Sequence, residues 1–267
     1  MARQKGLMKY VGTIGDVRHF KIKGEKGYFA GMVGGPTAEQ VLTGDEFKRT
    51  RENMSEFGGC AKVGKAIRTA FGPLKHMFSR RLTGNHLTAI IKRINLEDGS
   101  EARGQRAILL TQVPQHLQGL DFDPALSLTT VLRSPFDVVE AAGRKGSTLV
   151  VPKFHPQNAL RIPSGVSHFR LVNVVAAISD FALSTETGSY EPKVPEQNGV
   201  TGTAFTDYLE VTKETDDINL EATFLNGMEP KAEVAVLNAV GVEFYQKVGD
   251  NFYLFASDNA MQFVDVF

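Results

Sequence analysis

Residues 234–256 read VAVLNAVGVEFYQKVGDNFYLFA, two runs rich in β-branched and aromatic residues that meet at Gly249-Asp250. Runs of this kind on either side of a glycine–aspartate pair predict a β-hairpin, with strands over 232–245 and 251–256. Further strand-sized runs lie at 126–133, 147–152, 167–178, 203–213, 219–225 and 261–267. Asn198-Gly199 and Asn226-Gly227 supply turn signals among them. Several strands with helix-poor connections predict an antiparallel β-sandwich of the immunoglobulin-like kind.

Toward the N-terminus the pattern changes. The first 34 residues hold three short β-like segments, MKYVGTIG, VRHFKIK and GYFAGMVGG, separated by Gly15-Asp16 and by GEKG at 24–27. Between Thr37 and about Asn95 the periodicity becomes helical. Thr37 and Gln40 fit a capping box. Phe47, Met54, Phe57 and Ala61 fall within about 80° of one another on a helical wheel and predict a packing stripe. Gly58-Gly59 weakens the helix by about 1 kcal/mol per glycine, so a kink is expected there. Gly72-Pro73 stops it, and a second helix is expected from about Asn85 to Leu96, with Leu87, Ile90, Ile91 and Ile94 on one side. The fold class is α+β: a short β-hairpin and a basic helical region over 1–120, then an acidic antiparallel sandwich over 121–267. The proline-bearing stretch LTQVPQHLQGLDFDP is the expected linker.

Charge follows the same division. Net charge is zero, but residues 1–110 hold 20 Lys and Arg against 10 Asp and Glu, and residues 111–267 hold the reverse. Such a split points to an outside anion for the basic half, or to two halves that meet, within one molecule or between molecules. A head-to-tail contact between molecules can propagate into a ring or filament.

Catalytic signatures are missing. The six histidines form no metal-ligand spacing, so no metal and no cofactor are expected. GRKGST at 143–148 lacks the phosphate-loop spacing and reads as a charged turn; Ser164, Ser167 and His168 lack a nucleophile elbow and read as a polar strand edge. Asp121, Asp123, Asp216 and Asp217 lie in turn-like segments, and with no tryptophan there is no usual sugar-stacking platform. Cys60 reads as a small hydrophobe. The basic residues Lys48, Arg49, Arg51, Lys62, Lys65, Arg68, Lys75, Arg80, Arg81, Lys92 and Arg93 suit nucleic acid. Against that, they spread around the helix with Glu46, Glu52 and Glu56 interleaved. The N-terminus does not read as a signal peptide and no run is long enough for a membrane helix, so the default compartment is the cytoplasm, or the outside by an unconventional route.

The stretches GTIGDVRHFKIKG, EFKRTRENMSEFGGCAKVGKAIRTAF and GVEFYQKVGDNFYLF resemble an uncharacterised family of Bacteroidota proteins, most clearly over residues 1–72. Its members begin with a short basic β segment and continue into an RTREN-x-x-EFG helix. The resemblance implies that Arg49, Thr50, Arg51, Glu52, Asn53, Glu56, Phe57 and Gly58 form a shared structural motif, and it brings no activity with it. Gly59-Cys60 departs from the more helix-friendly pair expected after the motif.

The expectation from these readings is a non-enzymatic structural protein that assembles with itself into a filament, tube, fibre or shell of the kind a virus-like particle uses. Arg49, Arg51, Glu52 and Glu56 would form one side of the contact and Asp216, Asp217 and Glu221 the other. Phe263 and Phe267, in the terminal run MQFVDVF, would pair into a neighbour's sheet or close their own. The alternatives are a nucleic-acid-binding protein that uses the basic helices, and a surface- or carbohydrate-binding module that uses sandwich loops.

Overall fold

The computed structural model describes residues 1–77 and 85–267; Arg80 and Arg81 of the basic set lie outside the described residues. The chain divides into two compact units, Met1–Arg51 and Glu52–Phe267.

The first unit is a four-stranded antiparallel sheet followed by a short helix. Its strands β1 (Ala2–Arg3), β2 (Gly12–Ile14), β3 (Val17–Phe20) and β4 (Phe29–Met32) lie in the order β1-β4-β3-β2. Gly15-Asp16 forms the expected turn, with Ile14 opposite Val17 and Gly15 at φ 59°. Helix α1 (Ala38–Thr43) carries the expected capping box: Gln40 N donates to Thr37 Oγ1 at 3.1 Å, and Thr37 N donates to Gln40 Oε1 at 2.7 Å. Phe29 is its single buried residue.

The second unit is α+β and sandwich-like. Helix α2 (Lys48–Ala70), which begins in the first unit, and α3 (Asn85–Glu97) supply its helical layer; α4 (Leu128–Val131) and α5 (Pro156–Ala159) are single turns. Its strands are β5 (Asp137–Glu140), β6 (Gly146–Val151), β7 (His168–Ser179), β8 (Phe181–Leu183), β9 (Tyr190–Pro192), β10 (Val200–Phe205), β11 (Leu209–Glu210), β12 (Ile218–Thr223), β13 (Val234–Val248), β14 (Asn251–Leu254) and β15 (Ala260–Val266). The large sheet runs β10-β7-β13-β14, with β11 on β7 and β15 on β13. A smaller sheet runs β12-β6-β5, and β8 and β9 form a separate hairpin. The 234–256 hairpin forms as expected, with Val248 opposite Asn251 across Gly249-Asp250.

Strand alternation explains the layering. Val172, Val174, Ala176 and Ile178 of β7, with Ala235, Leu237 and Ala239 of β13, share a core with Val63 and Ile67 of α2 and with Leu87, Ile91 and Ile94 of α3. The intervening residues face the small sheet, where Leu171, Val240 and Val242 meet Leu149 and Val151. Helices, large sheet and small sheet therefore form three layers, and β7 and β13 are apolar on both faces because both faces are covered. Between the two sheets Asn238 Nδ2 donates to Asn173 Oδ1 at 2.8 Å and to Ser147 Oγ at 2.8 Å, all three residues fully buried.

The structure departs from the sequence expectations at α2 and between residues 110 and 133. Helix α2 runs through Gly58-Gly59 without a break. A Cβ at Gly59 would lie 2.5 Å from Tyr190 Cγ, so the glycine admits the tyrosine ring instead of ending the helix. Its buried face carries Glu56, Gly59, Cys60, Val63, Gly64, Ile67 and Ala70, whereas Met54 and Phe57 of the expected stripe are 55% and 48% exposed. Residues 126–133 are a turn and α4, not a strand; Leu128 N donates to Asp121 Oδ1 at 2.9 Å, which starts the helical turn. The proline-bearing stretch before it is no free linker. Phe122 N donates to Met261 O and Phe263 N donates to Leu120 O, at 2.8 and 3.0 Å, so it runs along β15. Its Phe122 ring meets Phe71 and Phe263 at centroid separations of 5.5 and 4.8 Å.

Candidate functional site

Most charges of the arginine–glutamate motif are satisfied within the chain. Arg51 Nη1 donates to Val41 O at 2.9 Å and Gly44 O at 2.7 Å, and so caps the end of α1. Glu52 Oε2 lies 3.4 Å from Arg103 Nε. Glu56 is 2% exposed; it pairs with Lys92 through one oxygen and accepts from Gly104 N at 2.7 Å through the other. Burial alone would raise the Glu56 carboxyl, but the hydrogen bonds from Lys92 and Gly104 N outweigh it and hold Glu56 below the ordinary glutamate value. Lys92 Nζ also donates to Asn95 Oδ1 at 2.6 Å, and Asn95 Nδ2 to Arg106 O at 2.7 Å. Glu56 is thus a structural carboxylate that ties α2 and α3 to the loop after α3, not a surface contact. Arg49 remains on the surface.

The acidic side divides similarly. Asp216, Asp217 and Glu221 are all exposed, and Asp217 Oδ1 accepts from Lys153 N at 2.8 Å. Phe263 is fully buried within its own chain. Phe267 packs against Val234 and Val236 of its own sheet, its N–H donating to Val236 O at 3.1 Å. Strand β15 thus closes its own sheet. Arg144, in the charged turn between β5 and β6, donates from Nη2 to Phe267 O at 2.8 Å and secures that closure.

One polar cluster lies where the sequence pattern is otherwise apolar. Glu243 of β13 is 2% exposed and accepts from Arg170 Nη2 at 2.8 Å and Tyr245 Oη at 2.7 Å, with His76 Nε2 at 2.9 Å. The Arg170 guanidinium stacks over Phe205 at 4.2 Å. A lone glutamate inside VAVLNAVGVEFYQ was the available signal, since an unpaired carboxylate there would be costly. Ser167 and His168 form the expected satisfied edge: Ser167 Oγ lies 2.9 Å from His168 Nδ1 and accepts from Lys247 N at 2.8 Å. Among the described residues no group of three His, Cys, Asp or Glu side chains could hold a metal ion, and no helix is long and apolar enough to cross a membrane.

What remains unsatisfied is the apolar surface of the first unit. Leu7 is fully exposed, and Val11, Ile14, Met32 and Val33 are 71%, 58%, 74% and 54% exposed. The same 51 residues hold ten Lys and Arg against five Asp and Glu. A small sheet with one buried residue lacks the core that independent stability requires. Comparison with family models, curated proteins and solved structures finds no match to this chain.

Proposed function

We propose that this protein is a non-enzymatic structural subunit that associates with further copies of itself through its N-terminal unit. The observation that carries this reading is the set of exposed apolar side chains in residues 1–51, among them Leu7, Val11, Ile14, Met32 and Val33, in a unit with one buried residue. Covering each such side chain is worth ~1.5–3 kcal/mol when burial is complete. Ile14 and Met32 lie opposite Val17 on either side of β3 and so share one face of the sheet, and an apolar face left exposed in this way marks an interaction site. The partner is a second copy because the unit is basic and residues 111–267 carry 20 acidic against 10 basic residues. Opposite charge brings the two surfaces together and sets their orientation; apolar contact then holds them. Repetition of one such unlike contact yields a ring or an open polymer.

The basic excess in residues 1–51 also favours a second reading, binding of a polyanion such as nucleic acid. Sedimentation of the purified chain across salt concentrations, with and without duplex DNA, separates the two. Self-association of the protein alone, weakened by salt, supports assembly. A protein that stays monomeric alone and binds duplex with a steep salt dependence supports the polyanion reading.

A further inference from the structure

We infer that the neighbouring copy is received at the open edge of β5, where the open edge of its β2 adds as a further strand; this inference rests on the self-association reading above. Both strands are terminal in their sheets, β5 in β12-β6-β5 and β2 in β1-β4-β3-β2. Ala141 N donates to Gly146 O at 3.0 Å, which fixes the phase of the β5–β6 ladder. Alternation along an antiparallel pair then leaves the N–H and C=O of Val138 and Glu140 directed away from β6. In the β2–β3 hairpin Ile14 and Val17 flank a two-residue turn, so the same alternation directs the backbone groups of Thr13 away from β3. Each edge therefore offers unpaired donors and acceptors of the kind that another strand completes.

Charge selects which edges meet. The β5 edge carries Asp137 and Glu140, both exposed, with Val139 55% exposed between them. The β2 edge carries exposed Ile14, with exposed Val11 just before the strand, and the exposed Arg18 lies opposite Thr13 on β3. Two β5 edges would bring carboxylates together, whereas β2 itself is uncharged and lies beside the strand that carries Arg18. The unlike pair matches apolar side chains and opposes the charges, so the contact is head-to-tail and repeats from copy to copy.

The test uses the full chain. Glu140→Pro removes one outward N–H without removing a bond to β6, so it is compatible with the folded edge strand. Glu140→Pro and the exposed double variant Asp137→Lys/Glu140→Lys are each expected to lower self-association at least tenfold, with thermal unfolding unchanged. Mixing the double variant with Arg18→Glu is expected to restore association between unlike copies. A wild-type chain that never associates would overturn the self-association reading itself. A wild-type chain that associates, together with a folded double variant that associates equally well, would overturn the β5 assignment alone. Should Glu140→Pro fail to fold, the double variant and its rescue decide the outcome.

Discussion

His76 Nε2 lies 2.9 Å from Glu243 Oε1, which joins the short helical segment Gly72–Met77 to the central strand β13. Arg170 and the Tyr245 hydroxyl complete the shell around the carboxylate. Burial alone would raise Glu243, yet the hydrogen bonds from His76, Arg170 and Tyr245 outweigh it and place its folded-state pKa below the ordinary value of 4.5. A carboxyl depressed by folding contributes stability above its unfolded pKa and loses that contribution as pH falls toward the folded value.

Glu243→Gln is therefore expected to cost about 3 kcal/mol near neutral pH, the scale of breaking a buried ion pair. The difference from wild type should shrink once the pH drops below about 4.5, where the carboxylate of the unfolded chain takes up a proton while the folded one is still ionised. Denaturant unfolding of both proteins at several pH values measures this. A gap of constant size across the acid range would contradict the assignment.

Two adjacent glycines of α2 should respond in opposite directions. At Gly58 an added Cβ meets nothing within 4 Å, so Gly58→Ala is expected to stabilise by about 0.5–1 kcal/mol through helix propensity. At Gly59 the same atom would lie 2.5 Å from Tyr190 Cγ and 2.7 Å from both Cδ atoms. Gly59→Ala is expected to destabilise by about 1–3 kcal/mol, as overpacking does. Calorimetry of the two variants gives the comparison directly.

Cys60 provides a reporter of global opening. Burial raises its thiol to about 12, and the residue is fully inaccessible. The thiolate is the reactive form, so an aromatic disulfide reagent should label the native protein no faster than the chain unfolds. Rapid labelling of the native chain would place the thiol at the surface and contradict the packing of α2.

Phe263 separates folding from assembly. Its ring packs against Phe71 at 5.2 Å and Phe122 at 4.8 Å inside its own chain. Phe263→Ala is expected to cost about 3–5 kcal/mol of stability. Self-association measured below its lowered unfolding temperature should match wild type, because the ring contributes to the core and not to a neighbour.

Legibility in the sequence followed the range of the forces involved. The 234–256 hairpin, the Thr37 capping box and the Leu87–Ile94 face of α3 were readable because local periodicity and turn chemistry determine them. The buried face of α2 was not, because its centre is formed by Gly59, Cys60 and Glu56, chosen by the distant partners Tyr190, Lys92 and Gly104. Residues 126–133 carried a strand-like composition that Asp121 redirected into a helical turn. The charge split was visible in composition, but which charges were already paired was not: Arg51, Glu52, Glu56 and Asp217 find their partners through the fold. The short edge β5 is not legible in the sequence, because four residues carry too little periodicity to register.

Light scattering after size separation tests whether residues 1–51 mediate self-association. The wild-type chain is compared with Val11→Ser/Ile14→Ser/Met32→Ser, which removes apolar surface without touching the buried Phe29. Self-association through this unit gives a wild-type mass that rises with protein concentration and falls with salt, and a triple variant that remains folded and monomeric throughout. A wild-type chain that stays monomeric at high concentration and low salt, or a folded triple variant that associates as wild type does, would contradict it.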